Sequence, residues 1–141
     1  MAADRKLEHL AQVGMFSSLN KKELAMVARA SDVVSVAPGT EIVREGDFGH
    51  EFYLLLQGTA TVRRAGRKVA QLGEGDYFGE LALLDRGPRS ATVVADGECE
   101  ILVIGQREFV GVLDQVPAVA RKLLASMAAR LREADRKAVS H

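Results

Sequence analysis

Apolar positions in the first thirty residues recur with a helical period: Leu7, Leu10 and Val13 share one stripe, and Leu24, Val27 and Ala28 share another. The turn-like stretch Ser17-Ser18-Leu19-Asn20 separates them, and Asn20 with Glu23 three residues later has the form of a capping box. Two short helices are expected within residues 1–30. From Val33 the period becomes that of strands. Short β-rich pieces run Val33 to Ala37, Glu41 to Arg44, Phe52 to Gln57, Thr59 to Arg63, Val69 to Leu72, Ala91 to Ala95 and Cys99 to Ile104. Pro38-Gly39, Glu45-Gly46-Asp47, Gly58, Ala65-Gly66, Gly73-Glu74-Gly75-Asp76 and Asp96-Gly97 punctuate them, because Gly tolerates positive φ and Pro presets a turn dihedral. Many short strands at near-regular spacing predict an antiparallel jelly-roll barrel over residues 31–105. A parallel α/β sheet would need helices between its strands, and none fits before residue 105. Helical spacing returns with Phe109, Val112 and Leu113 between Arg107 and Leu113, and a longer helix starts at Pro117. Its stripe is Ala120, Leu123, Leu124, Met127 and Leu131. The expected class is therefore mixed α+β: a β jelly-roll barrel flanked by N-terminal helices and by C-terminal helices over 106–141.

Composition and charge sharpen this picture. At 141 residues, with 48% hydrophobic and 27% charged residues, the chain fits one globular domain and can bury a sizeable core. Its 19 Lys and Arg balance its 19 Asp and Glu, so no global field draws in nucleic acid or anionic lipid, and any anion must be held locally. The last helix is the local exception: Arg121, Lys122, Arg130, Arg132, Arg136 and Lys137 outnumber Glu133 and Asp135, a run whose plain reading is a solvated face. The apolar run Phe52-Tyr53-Leu54-Leu55-Leu56 is far shorter than the ~18 residues a membrane span needs. Asp4, Arg5, Lys6 and Glu8 leave no apolar segment for a secretory signal, so a cytoplasmic location is expected. The single cysteine, Cys99, cannot form an intrachain disulfide and is expected to be core filler.

The candidate chemistry lies between Gly75 and Val93. Phe78-Gly79-Glu80 interrupts the strand pattern, an apolar run of four residues follows, and Gly87-Pro88-Arg89 leads into the next strand. A short helical turn held in a β framework exposes backbone N–H groups at its start, and these favour an anion. The guanidinium of Arg89 matches phosphate oxygens two at a time. Glu80 supplies an acceptor suited to a hydroxyl, which a receptor for a bare anion would avoid. Acid, guanidinium and amides on one loop suit a molecule that carries both a phosphate and a sugar hydroxyl. Read alone, the two side chains are equally an internal ion pair that closes the loop.

This segment resembles the phosphate-binding cassette of the cyclic nucleotide-binding domain family, which includes catabolite activator, protein kinase A regulatory subunit and cyclic nucleotide-gated channel types. The matching residues are Phe78-Gly79-Glu80-Leu81-Ala82-Leu83 and Pro88-Arg89-Ser90-Ala91-Thr92, with supporting likeness at Glu45-Gly46-Asp47, Phe52-Tyr53-Leu54 and Gly58. The resemblance implies that Glu80 accepts the ribose 2′-hydroxyl and that Arg89 pairs with the cyclic phosphate. It implies that Gly79, Leu81, Ala82, Ser90 and Ala91 offer backbone N–H groups, with the Ser90 hydroxyl as a further donor. It implies cAMP in preference to cGMP, because a Thr directly after the cassette Arg favours guanine in the family and Ser90 stands there instead. It also implies that the last helix swings over the base, and Met127, a flexible thioether, is the capping candidate.

Other chemistries find little footing. His9, His50 and His141 lie far apart and offer no metal-ligand set, and Ser90 and Ser126 lack the surroundings of a nucleophile, so no cofactor and no catalytic role are expected. Gly73, Gly75 and Gly79 lack the βαβ unit of a dinucleotide loop. The competing reading is an interaction domain that keeps the fold and answers to a partner protein without nucleotide. No helix-turn-helix follows the last helix, so a stand-alone sensor and a piece of a larger channel or kinase both remain open. A homodimer or a linked effector domain would meet the chain through that helix.

Overall fold

A computed structural model describes residues 7–8, 10–80 and 87–139, with side chains up to Arg136. A 3-10 turn, Gly14–Phe16, precedes helix α1, Lys21–Ala30. The capping box at its start is present in both directions: Asn20 Oδ1 accepts from the Glu23 N–H at 2.8 Å, and Glu23 Oε1 accepts from the Asn20 N–H at 3.0 Å. Strands follow as β1 (Ser31–Val36), β2 (Glu41–Val43), β3 (Glu51–Gln57), β4 (Ala60–Arg64), β5 (Arg67–Leu72), β6 (Tyr77–Phe78), β7 (Thr92–Ala95) and β8 (Cys99–Gly105). Helices α2, Gln106–Gln115, and α3, Pro117–Val139, complete the chain.

All strand pairs are antiparallel, in two four-stranded sheets ordered β1-β8-β3-β6 and β2-β7-β4-β5. The jelly roll therefore takes the form of two packed sheets, with the expected helices at either end of the chain. Alternation along β3 and β8 explains the continuous apolar run in β3. Leu55, Cys99 and Ile101 face the second sheet, where they pack with Ala60, Val93 and Ala95. Phe52, Leu54, Leu102 and Ile104 face the other way and pack with Phe16, Val27, Phe109, Val119 and Leu123 from the turn and helices. A strand covered on both faces has no polar side to show.

The two-residue strand β6 did not stand out in the sequence pattern. It pairs with β3 through Tyr53↔Phe78 and Leu54↔Tyr77, which sets Gly79 and Glu80 at the sheet end. On α3 the buried line is Val119 and Leu123, with Met127 packed partly against it. Leu124 and Leu131, members of the predicted stripe, are 65% and 64% exposed. Cys99 is buried, as expected of core filler.

Candidate functional site

A cleft of about 630 Å³ opens between the β4–β5 hairpin, the end of β6, the start of β7 and α3. Gly79, Glu80, Arg89, Ser90 and Ala91 all line it, so five predicted site residues are brought together. Leu81 and Ala82 lie outside the described residues. Met127 packs on the core beneath α3 and is not part of the lining; Arg130, one turn further along, is.

Arg89 is 6% exposed, and both its main chain and its side chain are pinned. Its N–H donates to Asp47 O at 2.8 Å, and its carbonyl accepts from the Gly46 N–H at 2.9 Å. Its Nη1 donates to Gly79 O at 3.1 Å and its Nη2 to Glu51 O at 3.0 Å, with the Glu51 carboxylate 3.7 Å away and the Tyr53 ring centroid at 5.6 Å. A buried charge is tolerated when it is hydrogen-bonded and paired, and this one is both. Two glycines make room for it. A Cβ on Gly49 would stand 2.1 Å from Nη2, and one on Gly79 would stand 2.7 Å from Nη1. Gly79 also takes φ +90°, a conformation that disfavours other residues. A guanidinium has five N–H donors, so two carbonyl bonds leave capacity for an anion.

Glu80 is 7% exposed, and burial pushes its carboxyl above the ordinary range. Its own backbone N–H and the guanidiniums of Arg130 and Arg89 pull the other way. Arg130 Nη1 lies 3.3 Å from Glu80 Oε1, its Nη2 reaches Tyr77 O at 3.5 Å, and its guanidinium sits 4.2 Å from the Tyr77 ring centroid. The Tyr77 hydroxyl donates to Ser126 Oγ at 2.9 Å. Helix α3 thus meets β6 and the cassette through two residues one turn apart. Sequence reading placed Arg130 in a solvated charge run; its spacing of four from Ser126 was the available signal, and nothing in the sequence tied either residue to Tyr77.

Replacing Arg130 by Met removes a neighbouring positive charge, so the Glu80 carboxyl should titrate at still higher pH, a shift readable by carboxyl carbon NMR. A downward or absent shift would remove Arg130 as the partner of Glu80. The native state holds this proton more tightly than the unfolded chain, so the associated stability is present at low pH and lost as pH rises through the raised value. Glu80→Gln, which cannot ionise, is expected to fold at neutral pH at least as stably as the parent.

Among the described residues no group of His, Cys, Asp or Glu is arranged to hold a metal. No described helix is long and apolar enough to cross a membrane.

Comparison with known proteins identifies the family. The model of the cyclic nucleotide-binding domain family matches residues 33–116. The cAMP-dependent protein kinase regulatory subunit of Hypocrea atroviridis is 37% identical over 113 residues, which are 80% of this chain and 24% of that protein. The chain thus spans about a quarter of the length of such relatives. Among solved structures, Thermus thermophilus catabolite activator protein aligns with TM-score 0.80 and 34% identity, over 87% of this chain and 60% of that one. PKAR CBD2 with Sp-2Cl-cAMPS bound aligns with TM-score 0.76 and 26% identity, over 96% and 95%. The regulatory subunit of a cAMP-independent protein kinase A from Trypanosoma brucei aligns with TM-score 0.77 and 27% identity, over 89% and 47%. With its two-sheet fold and a family match across more than half its length, the chain belongs to the cyclic nucleotide-binding domain family.

Proposed function

We propose that this chain is a cytoplasmic, non-catalytic sensor of a cyclic purine mononucleotide, with cAMP preferred to cGMP. The observation that carries this reading is one cleft that holds a buried carboxylate, Glu80, and a buried guanidinium, Arg89, beside the backbone of Gly79, Ser90 and Ala91. Glu80 accepts the ribose 2′-hydroxyl, Arg89 meets the cyclic phosphate, and the N–H groups of Gly79, Leu81, Ala82, Ser90 and Ala91 complete the phosphate cradle. The cAMP named in the relatives' descriptions supports the choice of base, as does Ser90 in place of Thr. Residues 1–30, 31–105 and 106–141 act as one domain. The response runs through α3: a ligand that takes Glu80 alters its bond with Arg130, and the helix is free to settle in a new position only if ligand binds the two positions unequally. The exposed Leu124 and Leu131 are where a second copy or a linked effector would read that movement.

A calorimetric titration with cAMP, cGMP and 2′-deoxy-cAMP tests the assignment, with parent and Glu80→Gln compared in one cycle. The parent should bind cAMP tightest and 2′-deoxy-cAMP at least about tenfold more weakly, since a hydrogen bond to a charged group contributes about 1.5–3 kcal/mol. The Gln variant should discriminate less between the two. Equal binding of cAMP and 2′-deoxy-cAMP to the parent would remove Glu80 as the ribose partner. No heat with any nucleotide at millimolar concentration would favour the second reading, an interaction domain without a nucleotide ligand.

A further inference from the structure

The chain carries no net charge, yet the tip of the β4–β5 hairpin is strongly basic. Its register sets Arg63 opposite Lys68 and Arg64 opposite Arg67, around the turn Ala65-Gly66. Like charges directly across an antiparallel pair are unfavourable, so this arrangement costs the fold stability and calls for a use. Some of the field is answered locally: the Glu45 carboxylate accepts from the Ala65 N–H at 2.9 Å, and Lys68 Nζ donates to Gln71 Oε1 at 3.0 Å. Among the described residues no carboxylate pairs with Arg63, Arg64 or Arg67.

Of these four cations Arg64 alone lines the cleft. Its Nε donates to Ser90 O at 3.1 Å, which holds its guanidinium against the cassette beside the Ser90–Ala91 backbone. Arg89, by contrast, is buried, bonded to two carbonyls and 3.7 Å from the Glu51 carboxylate. The cassette arginine therefore presents a partly compensated charge, Arg130 on the same cleft is paired with Glu80, and Arg64 adds an exposed cation that no carboxylate among the described residues pairs with.

We infer that Arg64 is a second cationic contact for the phosphate of the ligand, and that the hairpin tip behind it draws that anion into the cleft. The inference rests on reading the cleft as a cyclic nucleotide site. A local cluster of one sign raises the concentration and arrival rate of an oppositely charged ligand, and salt screens that effect over about 8–10 Å at ordinary ionic strength. A carbonyl clamp by Arg64 would stiffen the cassette but would carry no such salt dependence.

The test measures cAMP affinity and association rate for the parent, Arg64→Gln and Arg64→Lys at low and at physiological ionic strength, with thermal unfolding to confirm that each is folded. Arg64 is exposed, so both variants should fold. Arg64→Gln is expected to weaken binding about fivefold at low salt, chiefly through slower association, and to flatten the dependence of affinity on salt. Arg64→Lys, which keeps the charge but not the planar fork, should retain most of both. An Arg64→Gln variant with parental affinity and parental salt dependence overturns the inference while the site assignment stands. So does an Arg64→Lys variant as weak as Arg64→Gln with the parental salt dependence, which would reduce Arg64 to a clamp on Ser90. A parent that binds no cyclic nucleotide overturns both readings together.

Discussion

Arg89→Leu is expected to lower cAMP affinity at least about tenfold, since losing a desolvated, charge-assisted contact of this kind costs about 2–4 kcal/mol. The same substitution should also destabilise the protein. The Gly79 and Glu51 carbonyls would lose their shared donor, and the Glu51 carboxylate would lose its nearest cation. An acceptor left without a partner in the interior costs about 1–3 kcal/mol, and these two are partly buried, so the unfolding midpoint should fall by a few degrees. Arg89→Lys separates the two effects. It keeps a charge that can reach one carbonyl but loses the fork that spans both, so it should fold better than the Leu variant and still bind weakly. If either variant folds and binds cAMP as the parent does, Arg89 is not the phosphate partner.

How much of this was legible in the sequence follows the range over which each signal acts. The capping box of Asn20 and Glu23 is a local device, and it is present as read. Strand alternation and turn residues are also local, and they located every strand except β6, which is two residues long and offers no period. On α3 two apolar lines run side by side. Sequence spacing could not tell that Val119 and Leu123 face the core while Leu124 and Leu131 face out, because the choice depends on where the sheet lies. Glu80, Arg89 and their neighbours were found through the cassette motif, a contiguous pattern. The residues that hold them were not: Glu51 is thirty-eight positions from Arg89, and Arg130 is fifty from Glu80. Pairings at that separation leave no periodic trace in a single chain. They arise only once β3 and β6 pair and α3 folds back.

Gly49 is the clearest residue of that hidden class. No sequence motif singles it out, yet a Cβ there would stand 2.1 Å from Arg89 Nη2, 2.2 Å from its Nε and 2.3 Å from its Cζ. Gly49→Ala should therefore expel the guanidinium from its seat without removing its charge. Because Gly49 is not among the glycines at positive φ, the backbone itself accepts alanine, and the whole effect comes from that contact. Overpacking a filled site costs typically about 1–3 kcal/mol, and here part of it can be relieved if Arg89 swings into the cleft or out to solvent. The expected result is a cAMP affinity at least about tenfold below that of the parent, close to that of Arg89→Leu, with a smaller loss of thermal stability than Arg89→Leu shows. Gly97→Ala is the matched control: a Cβ there meets nothing within 4 Å, and both affinity and stability should hold. A Gly49→Ala variant with parental affinity would mean that the phosphate contact tolerates a displaced guanidinium, and that charge near the cassette, rather than the clamp between Gly49 and Gly79, secures the ligand.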